Sequence, residues 1–359
     1  MKRLALVTDA WHPQANGVVH TLARLANHLR SQGTDVLVIA ADEHRTFELP
    51  TYPDIQLAID PWRAIPRLCA FKPDAVHIAT EGPLGFATSI WLRHKKLAFT
   101  SSFHTRFPEY LSTRFPLIPL AFGYAIERWF HSRAERTLVG TQSMIDVLKA
   151  ERVGNKLVHW PRGVDTERFH PRNRRHATYA GLPGPIWLYV GRVACEKQVQ
   201  DFLDLSLPGT KVVVGDGPSR EALQRRYPDA VWRGWRDGAD LAVHFASADC
   251  FVFPSRTDTF GNVLLEALAS GLPVASIPAP GPIDLIREGC NGSIHDELRV
   301  ACWWALKCSR EVARASALPY TVQACHEIFE SNLVPLVHAL PRTADSTASR
   351  GDAREATAY

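Results

Sequence analysis

A chain of 359 residues, 46% hydrophobic, 22% charged and +4 in formal charge, has the make-up of a soluble globular protein of about two domains. Its seven cysteines are odd in number and never spaced C-x-x-C, which argues against a disulfide frame or a cysteine zinc site and for reduced thiols in a cytoplasm. No stretch reaches the ~18 apolar residues of a membrane span, and only LALV follows Met1-Lys2-Arg3, too little for a secretory leader. Charge is uneven: residues 1–175 carry 24 Lys/Arg against 16 Asp/Glu, the remainder 17 against 21. A basic half suits an anionic membrane, a nucleic acid or a phosphorylated acceptor. No recognition helix or RNA-stacking motif is present, so a nucleic-acid partner is not expected.

KRLALV reads as the first strand, and the loop TDAWHPQANGV leads into a helix from Val18 to about Gln32, stopped by Gly33. TDVLVIA is the second strand. This βαβ opening has no G-x-G-x-x-G, so the dinucleotide fingerprint is missing; Asn16-Gly17 offers a backbone-exposing turn instead. After a Pro-broken stretch come the strand PDAVHIAT, the turn EGPLG and a helix ending in Arg93-His94-Lys95-Lys96. LAFTSSFH is a strand running into His104-Thr105-Arg106. A His at a strand end sits where open α/β sheets bind ligands, although a lone His there reads equally as a surface-loop residue. Residues Thr105 to Arg136 mix aromatic and apolar side chains with Arg106, Arg114, Arg128, Arg133 and Arg136. That composition fits a membrane-surface segment, and it fits a buried helix with a charged outer face as well. ERTLVGTQSMIDVLKAERV is strand, loop and helix, capped by Thr141 or Ser143. VHWPRGVDTERFHP follows, and PRNRRHATYAGLPGP has the composition of a linker.

The second half restarts the pattern. IWLYV is a strand, followed by Gly191-Arg192 and, five residues beyond Arg192, by Lys197. Two cations so spaced after a parallel strand can clamp a diphosphate. TKVVVGDGPSREAL is strand, turn and helix, with Gly215 and Gly217 but without the third Gly of a dinucleotide loop. VWRGW is a strand end around Arg233. CFVFPS is a buried strand, and RTDTFGNVLLEALASG is a turn and a helix opened by Gly261. Such a helix mouth presents unpaired N–H groups to a diphosphate. Asp258 and Glu266, eight residues apart, frame it; a carboxylate accepts two hydrogen bonds at once, as a vicinal diol offers. LPVASIPAPGPIDLI supplies a further strand and loop. Helices are expected from Asp296 to Arg314 and from Thr321 to about Leu340, and disorder from 342 to 359.

Over about residues 2 to 340 these features resemble retaining glycosyltransferase family 4: NG near the start, FHT, GR-x4-EK, GDGP and the acid-x7-acid helix, in that order. The family usually has Glu where this chain has Asp258. The TDTFG spelling, and Arg162 ahead of Gly163, resemble a mannose- and lipid-transferring branch. The resemblance implies a GT-B fold, α/β, with two doubly wound Rossmann-like domains facing across a cleft. Residues 1–175 would take the acceptor, 184–318 the nucleotide sugar, and a crossover helix in 319–341 would return to the first domain. It implies that Asp258 faces the donor sugar, that the Phe260–Gly261–Asn262 backbone meets the phosphates, that Thr259 also binds the donor, and that Glu266 holds the ribose. Asn16 and Gly17 would close over the diphosphate. His104 would hydrogen-bond at the reaction centre, Arg192 and Lys197 would stabilise the leaving diphosphate, and Gly191 would bind the donor beside them. Gly215, Gly217 and Arg233 would lie near the nucleotide, and Arg106, Arg114 and Arg128 on the membrane or acceptor side.

The implied reaction moves a hexose from GDP-mannose, or from a UDP-hexose, to a lipid or lipid-linked acceptor, keeping the anomeric configuration. No D-x-D motif occurs, so neither a metal nor another cofactor is expected. The expected place is the cytoplasm, peripheral on an anionic membrane face. Two rivals share the fold: a nucleotide-sugar epimerase and a non-catalytic nucleotide-sugar-binding scaffold. Intact His104, Arg192 and Lys197 argue against the scaffold.

Overall fold

The computed structural model describes residues 2–14, 16–49, 52–115 and 117–336, with the side chains of 49, 52–55, 113 and 114 left aside. The first half contains β1 (Arg3–Thr8), β2 (Asp35–Ala40), β3 (Thr46–Leu49), β4 (Tyr52–Ala58), β5 (Ala75–Ile78), β6 (Thr100–Phe103), β7 (Arg136–Val139) and β8 (Leu157–His159). The second contains β9 (Ile186–Val190), β10 (Thr210–Val214), β11 (Val231–Gly234), β12 (Cys250–Phe253), β13 (Val274–Ser276) and β14 (Gly292–Ile294). They form two six-stranded parallel sheets, ordered β2-β1-β5-β6-β7-β8 and β11-β10-β9-β12-β13-β14. The order reverses beside β1 and beside β9, the mark of a doubly wound sheet, and such sheets bind ligands at the carboxyl ends of their strands.

Burial explains why apolar runs became strands. Ile186 to Val190 is buried throughout, because helices cover both faces of a parallel sheet. Alternate residues feed opposite cores: Leu188, Val190 and Phe251 one, Trp187, Tyr189 and Val252 the other. In the first half Leu4 and Leu6 face one core, Ala5 and Val7 the other. The first helix, Gly17–Ser31, buries Val19, Leu22, Leu25, Ala26 and Leu29 at helical spacing. Asn16 caps it, accepting from the N–H of Val18 and Val19 at 3.0 Å.

Five local features differ from the sequence reading. The Pro-broken stretch pairs as an antiparallel hairpin, β3 with β4, and β14 was not foreseen. The helix expected from Asp296 to Arg314 is two, Leu298–Ala305 and Arg310–Ala317. Ser309 divides them, because its hydroxyl accepts from the N–H of Val312 and starts a new cap. The basic-aromatic stretch is likewise two helices, Phe107–Arg114 and Leu120–His131. The final helix, Val322–Asn332, stops short of Leu340. Pro335 lacks an N–H and keeps Val334 from helical geometry, so the chain straightens and pairs Pro335 with Ala75. Residues 337–359, and with them the expected disordered tail, lie outside the described residues. Cys325, Phe329 and Leu333 of this last segment join the core of the first sheet, so the carboxyl-terminal helix crosses back as expected. Among the described residues no helix is long and apolar enough to cross a membrane.

Candidate active site

The carboxyl ends of both sheets converge. β12 stops at Phe253, and the chain turns through Arg256–Phe260 to Gly261, whose φ of +78° favours glycine. The eight-residue helix Asn262–Ala269 starts there. Opposite, β6 delivers His104 and β7 delivers Thr141. Thr259 joins them: its hydroxyl donates to the His104 carbonyl at 2.7 Å, and its carbonyl accepts from the Thr141 hydroxyl at 3.0 Å. Asn262 Nδ2 donates to the Gly17 carbonyl at 3.4 Å. Ser143 N–H donates to Asp284 at 3.1 Å. The loop after β12 is therefore held by groups from both halves.

Lys197 Nζ lies 2.5 Å from Asp258 Oδ1. Burial opposes the ammonium, but Asp258, with Tyr110 and Tyr189 nearby, more than reverses this and holds Lys197 well above its usual range. Lys197 is thus a fixed cation on the connection after β9, which also carries Arg192. The glycines of this region serve close packing. A Cβ on Gly215 would lie 1.9 Å from the Gly191 carbonyl oxygen, and one on Gly217 2.4 Å from that of Val193. The loops after β9 and β10 therefore touch backbone to backbone.

His104 is the other key group. Its Nδ1 lies 3.0 Å from Arg162 Nη2, and its Nε2 is buried with no hydrogen-bond partner. Burial, followed by Arg162, His77 and His131, holds it well below the usual histidine range, so it is neutral. A guanidinium only donates. Nδ1 must therefore accept, and the proton sits on Nε2, where it can be donated to a ligand. Arg162 is 6% exposed, donates to the Trp160 carbonyl at 3.0 Å and stacks over the Trp160 ring at 4.2 Å. Burial pulls it down to about 10.

Glu266 projects from the helix behind its mouth. Burial raises it to about 7, opposed by Arg24 and Arg168. Arg24 and residues 164–168 also line a cleft of about 440 Å³ with Thr321 and Val322. Arg233, at the end of β11, donates to the Thr178 carbonyl at 3.3 Å. Phe260 is buried and supports the turn from beneath.

The remaining expected residues divide. Asn16 uses its carbonyl oxygen as a helix cap, and Gly17 meets Asn262 at the start of the Asn262–Ala269 helix. Arg106 pairs with Glu109 and donates to the Arg256 carbonyl at 3.3 Å, so it bridges the two halves. Arg128 binds the Glu151 carbonyl at 3.1 Å and its carboxylate at 3.7 Å, which ties it to its own domain. The side chain of Arg114 lies outside the described residues. Arg162 was visible in the sequence only as a spelling ahead of Gly163; its partner His104 is 58 residues away. Tyr110, from the Phe107–Arg114 helix, gave no signal.

The sequence pattern of Glycosyltransferase Family 4 matches residues 15–168, and that of Glycosyl transferases group 1 matches residues 184–302. The GDP-mannose-dependent alpha-mannosyltransferase of Corynebacterium glutamicum is 34% identical over 347 residues, covering 88% of this chain and 83% of that relative. The chain belongs to glycosyltransferase family 4. A GDP-mannose-dependent alpha-mannosyltransferase of Mycobacterium tuberculosis is 35% identical over 314 residues, covering 81% of this glycosyltransferase and 82% of the relative. Among solved structures, sucrose-phosphate synthase from Thermosynechococcus elongatus superposes with a TM-score of 0.75 at 19% identity, covering 92% of this chain and 98% of that one. That likeness shows the GT-B fold. The family 4 glycosyltransferase is a hexosyl-transferring enzyme, and its two sheets face each other across the cleft just described.

Proposed function

We propose that the enzyme transfers mannose from GDP-mannose, with retention, to a hydroxyl of a lipid or lipid-linked sugar, working peripherally at the cytoplasmic face of a membrane. The observation that carries the reading is that the two halves supply complementary groups: the Lys197 cation from the second, and from the first a buried His104 Nε2–H with no protein partner. The sugar's bond to the diphosphate breaks, the bond from its anomeric carbon to the acceptor oxygen forms, and the acceptor's proton passes to a leaving phosphate oxygen on the same face. Arg192, Lys197 and the N–H groups at Gly261–Asn262 stabilise that leaving charge. His104 donates to the sugar and, being neutral and held by Arg162, abstracts nothing. Asp258 keeps Lys197 in place and faces the sugar, and Glu266 receives the ribose hydroxyls. In this reading none of these steps calls on a metal.

The donor is favoured because two relatives that match most of the chain are GDP-mannose-dependent. The acceptor class is supported by the alpha-monoglucosyldiacylglycerol synthase of Streptococcus pneumoniae, 23% identical over 332 residues. A membrane approach is supported by one face of the first domain. Ile90, Phe122 and Trp129 are exposed there, and the Arg133 guanidinium lies 3.6 Å over the Trp129 ring. Apolar side chains with a stacked cation suit a headgroup boundary.

Thermal unfolding with GDP, UDP, ADP and their sugar conjugates, with and without EDTA, tests the reading. A ligand at 100 times its Kd stabilises by about 2.7 kcal/mol. A selective response to GDP and GDP-mannose that EDTA leaves unchanged is expected. A UDP-selective response moves the donor to a UDP-hexose, and silence from all of them in folded protein overturns the donor site.

A further inference from the structure

A second polar cluster lies in the first domain, unused by the donor site. Glu81 follows β5 by three residues, and His104 follows β6 by one. β5 and β6 are neighbours, so both residues sit at the carboxyl ends of adjacent parallel strands, the ligand-binding edge of such a sheet. Glu81 Oε1 lies 3.0 Å from His131 Nε2, and Glu127 Oε2 lies 3.3 Å from the same nitrogen. His131 Nδ1 meets the Ser101 hydroxyl at 2.9 Å, which meets the Thr137 hydroxyl at 3.0 Å. His131 and Glu127 are fully buried, and both Glu127 oxygens lack a hydrogen-bond partner of good geometry.

Two carboxylates directed at one imidazole nitrogen need a positive charge between them. Burial opposes a charge on His131, but hydrogen bonds to Glu127 and Glu81 outweigh it and push the ring up to about 9. A buried ionic triad is a poor way to stabilise a fold, since apolar residues of equal volume do as well or better. What it produces is a well-placed Glu81. One carboxylate oxygen is fixed from inside by His131, while the side chain keeps 12% of its surface exposed. Asp9, the neighbouring acid, has no such oxygen to offer, because Leu84 N–H, Gly85 N–H and the Thr80 hydroxyl all donate to it.

We propose that Glu81 anchors the acceptor. Its outward oxygen accepts a hydrogen bond from the acceptor hydroxyl that attacks the sugar held near His104, and His131, braced by Ser101 and Glu127, is the positioning residue behind it. This rests on the transferase reading above. Glu81 orients the nucleophile and is not consumed; the proton still ends on the leaving phosphate. An acceptor with a lipid tail suits the surroundings. Glu81 lies just ahead of the Pro83–His94 helix and His131 ends the Leu120–His131 helix, and between these two helices runs an apolar groove lined by Phe86, Ala125, Ile126 and Trp129.

The test uses the full chain labelled with ¹³C-histidine, with the signals of His104 and His131 assigned through His104→Asn and His131→Asn. GDP-mannose is added first, then micellar diacylglycerol, myo-inositol and methyl α-glucoside in turn. GDP-mannose is expected to move His104, and at least one hydroxyl probe to move His131. Glu81→Gln should abolish only the second response and leave the melting temperature within a few degrees of the parent. In transfer assays the same variant should raise the acceptor KM about tenfold, the loss of one hydrogen bond to a charged group, with the donor KM unchanged. A His131 signal that no hydroxyl probe moves, in protein whose His104 responds to GDP-mannose, overturns the acceptor site alone. A folded Glu81→Gln that loses both responses also overturns it, by making Glu81 structural. Silence at His104 brings down the donor reading, and the anchor with it.

Discussion

Replacing Arg162 with methionine separates a residue kept for function from one kept for stability. The guanidinium is pulled from 12.5 to about 10 by burial. At 1.36 kcal/mol per pKa unit, holding that charge inside costs the fold about 3 kcal/mol. Because a base with a lowered folded pKa is disfavoured at every pH below that value, the cost is constant through neutrality and is relieved only as pH rises past about 10. Methionine fills similar space and removes the charge. Against this stand two lost hydrogen bonds, to the Trp160 carbonyl and His104 Nδ1, and the stack on Trp160, each worth about 1 kcal/mol. The terms nearly cancel, so urea unfolding of Arg162→Met should give a stability within about 1 kcal/mol of the parent. Activity should not survive as well. Without Arg162 nothing obliges Nδ1 to accept, the Nε2 proton is no longer assured, and nucleotide release from GDP-mannose over diacylglycerol vesicles should fall by at least tenfold, about 1.4 kcal/mol of transition-state binding. A loss of 3 kcal/mol or more in stability, with turnover intact, would falsify the account and make Arg162 a structural residue.

Two further outcomes follow from the cleft. Lys197→Met leaves Asp258 without its cation at a site only 18% exposed, and should cost about 3 kcal/mol of stability and abolish the thermal response to GDP. Adding Asp258→Asn should recover the stability but not the response; if stability stays low, the pair is not what Lys197 supports. Glu266, raised to about 7, should make GDP-mannose binding pH-dependent, since ribose hydroxyls need the ionised carboxylate as acceptor. Calorimetric affinity should rise about tenfold from about pH 6 to pH 8 in the parent and stay flat in Glu266→Gln. The stability term has the opposite sign: a raised carboxyl costs folding free energy as pH climbs from about 4.5 to 7. A flat binding profile in the parent would remove Glu266 from the ribose.

The parts of the molecule legible in the sequence are those written by neighbours along the chain. IWLYV and CFVF announce buried strands because both sheet faces are covered, and Gly261 announces a helix mouth because its backbone needs a positive φ. The Lys197–Asp258 pair was readable as two motifs but not as one contact, since the residues meet only when the loops after β9 and β12 lie side by side. The hairpin of β3 and β4 hid behind its prolines, and one proline, Pro335, ended a helix that apolar spacing alone would have prolonged. The triad of Glu81, Glu127 and His131 was invisible for a related reason. Glu127 and His131 are one helical turn apart and read as an ordinary pair, whereas Glu81 arrives from another strand 50 residues earlier. The contacts of Arg106 were not legible either, because composition shows that a segment is basic, not which carboxylate or carbonyl each cation will find.

Thr259 has a consequence for how this enzyme handles water. Its hydroxyl and its carbonyl are both committed to the opposite domain, to the His104 carbonyl and the Thr141 hydroxyl. The Arg256–Phe260 loop thus behaves as a lock that needs two keys: both of its Thr259 contacts exist only while the halves are together. Parting them unties both threads of the loop in one movement, and with them the placement of Asp258, one residue before, and of the helix mouth at Gly261, two residues after. In the proposed reading, a donor bound to the parted halves would be stored and not spent on solvent. By the same logic, a small molecule that wedges the halves apart at Thr141 would silence the enzyme without competing for the nucleotide pocket.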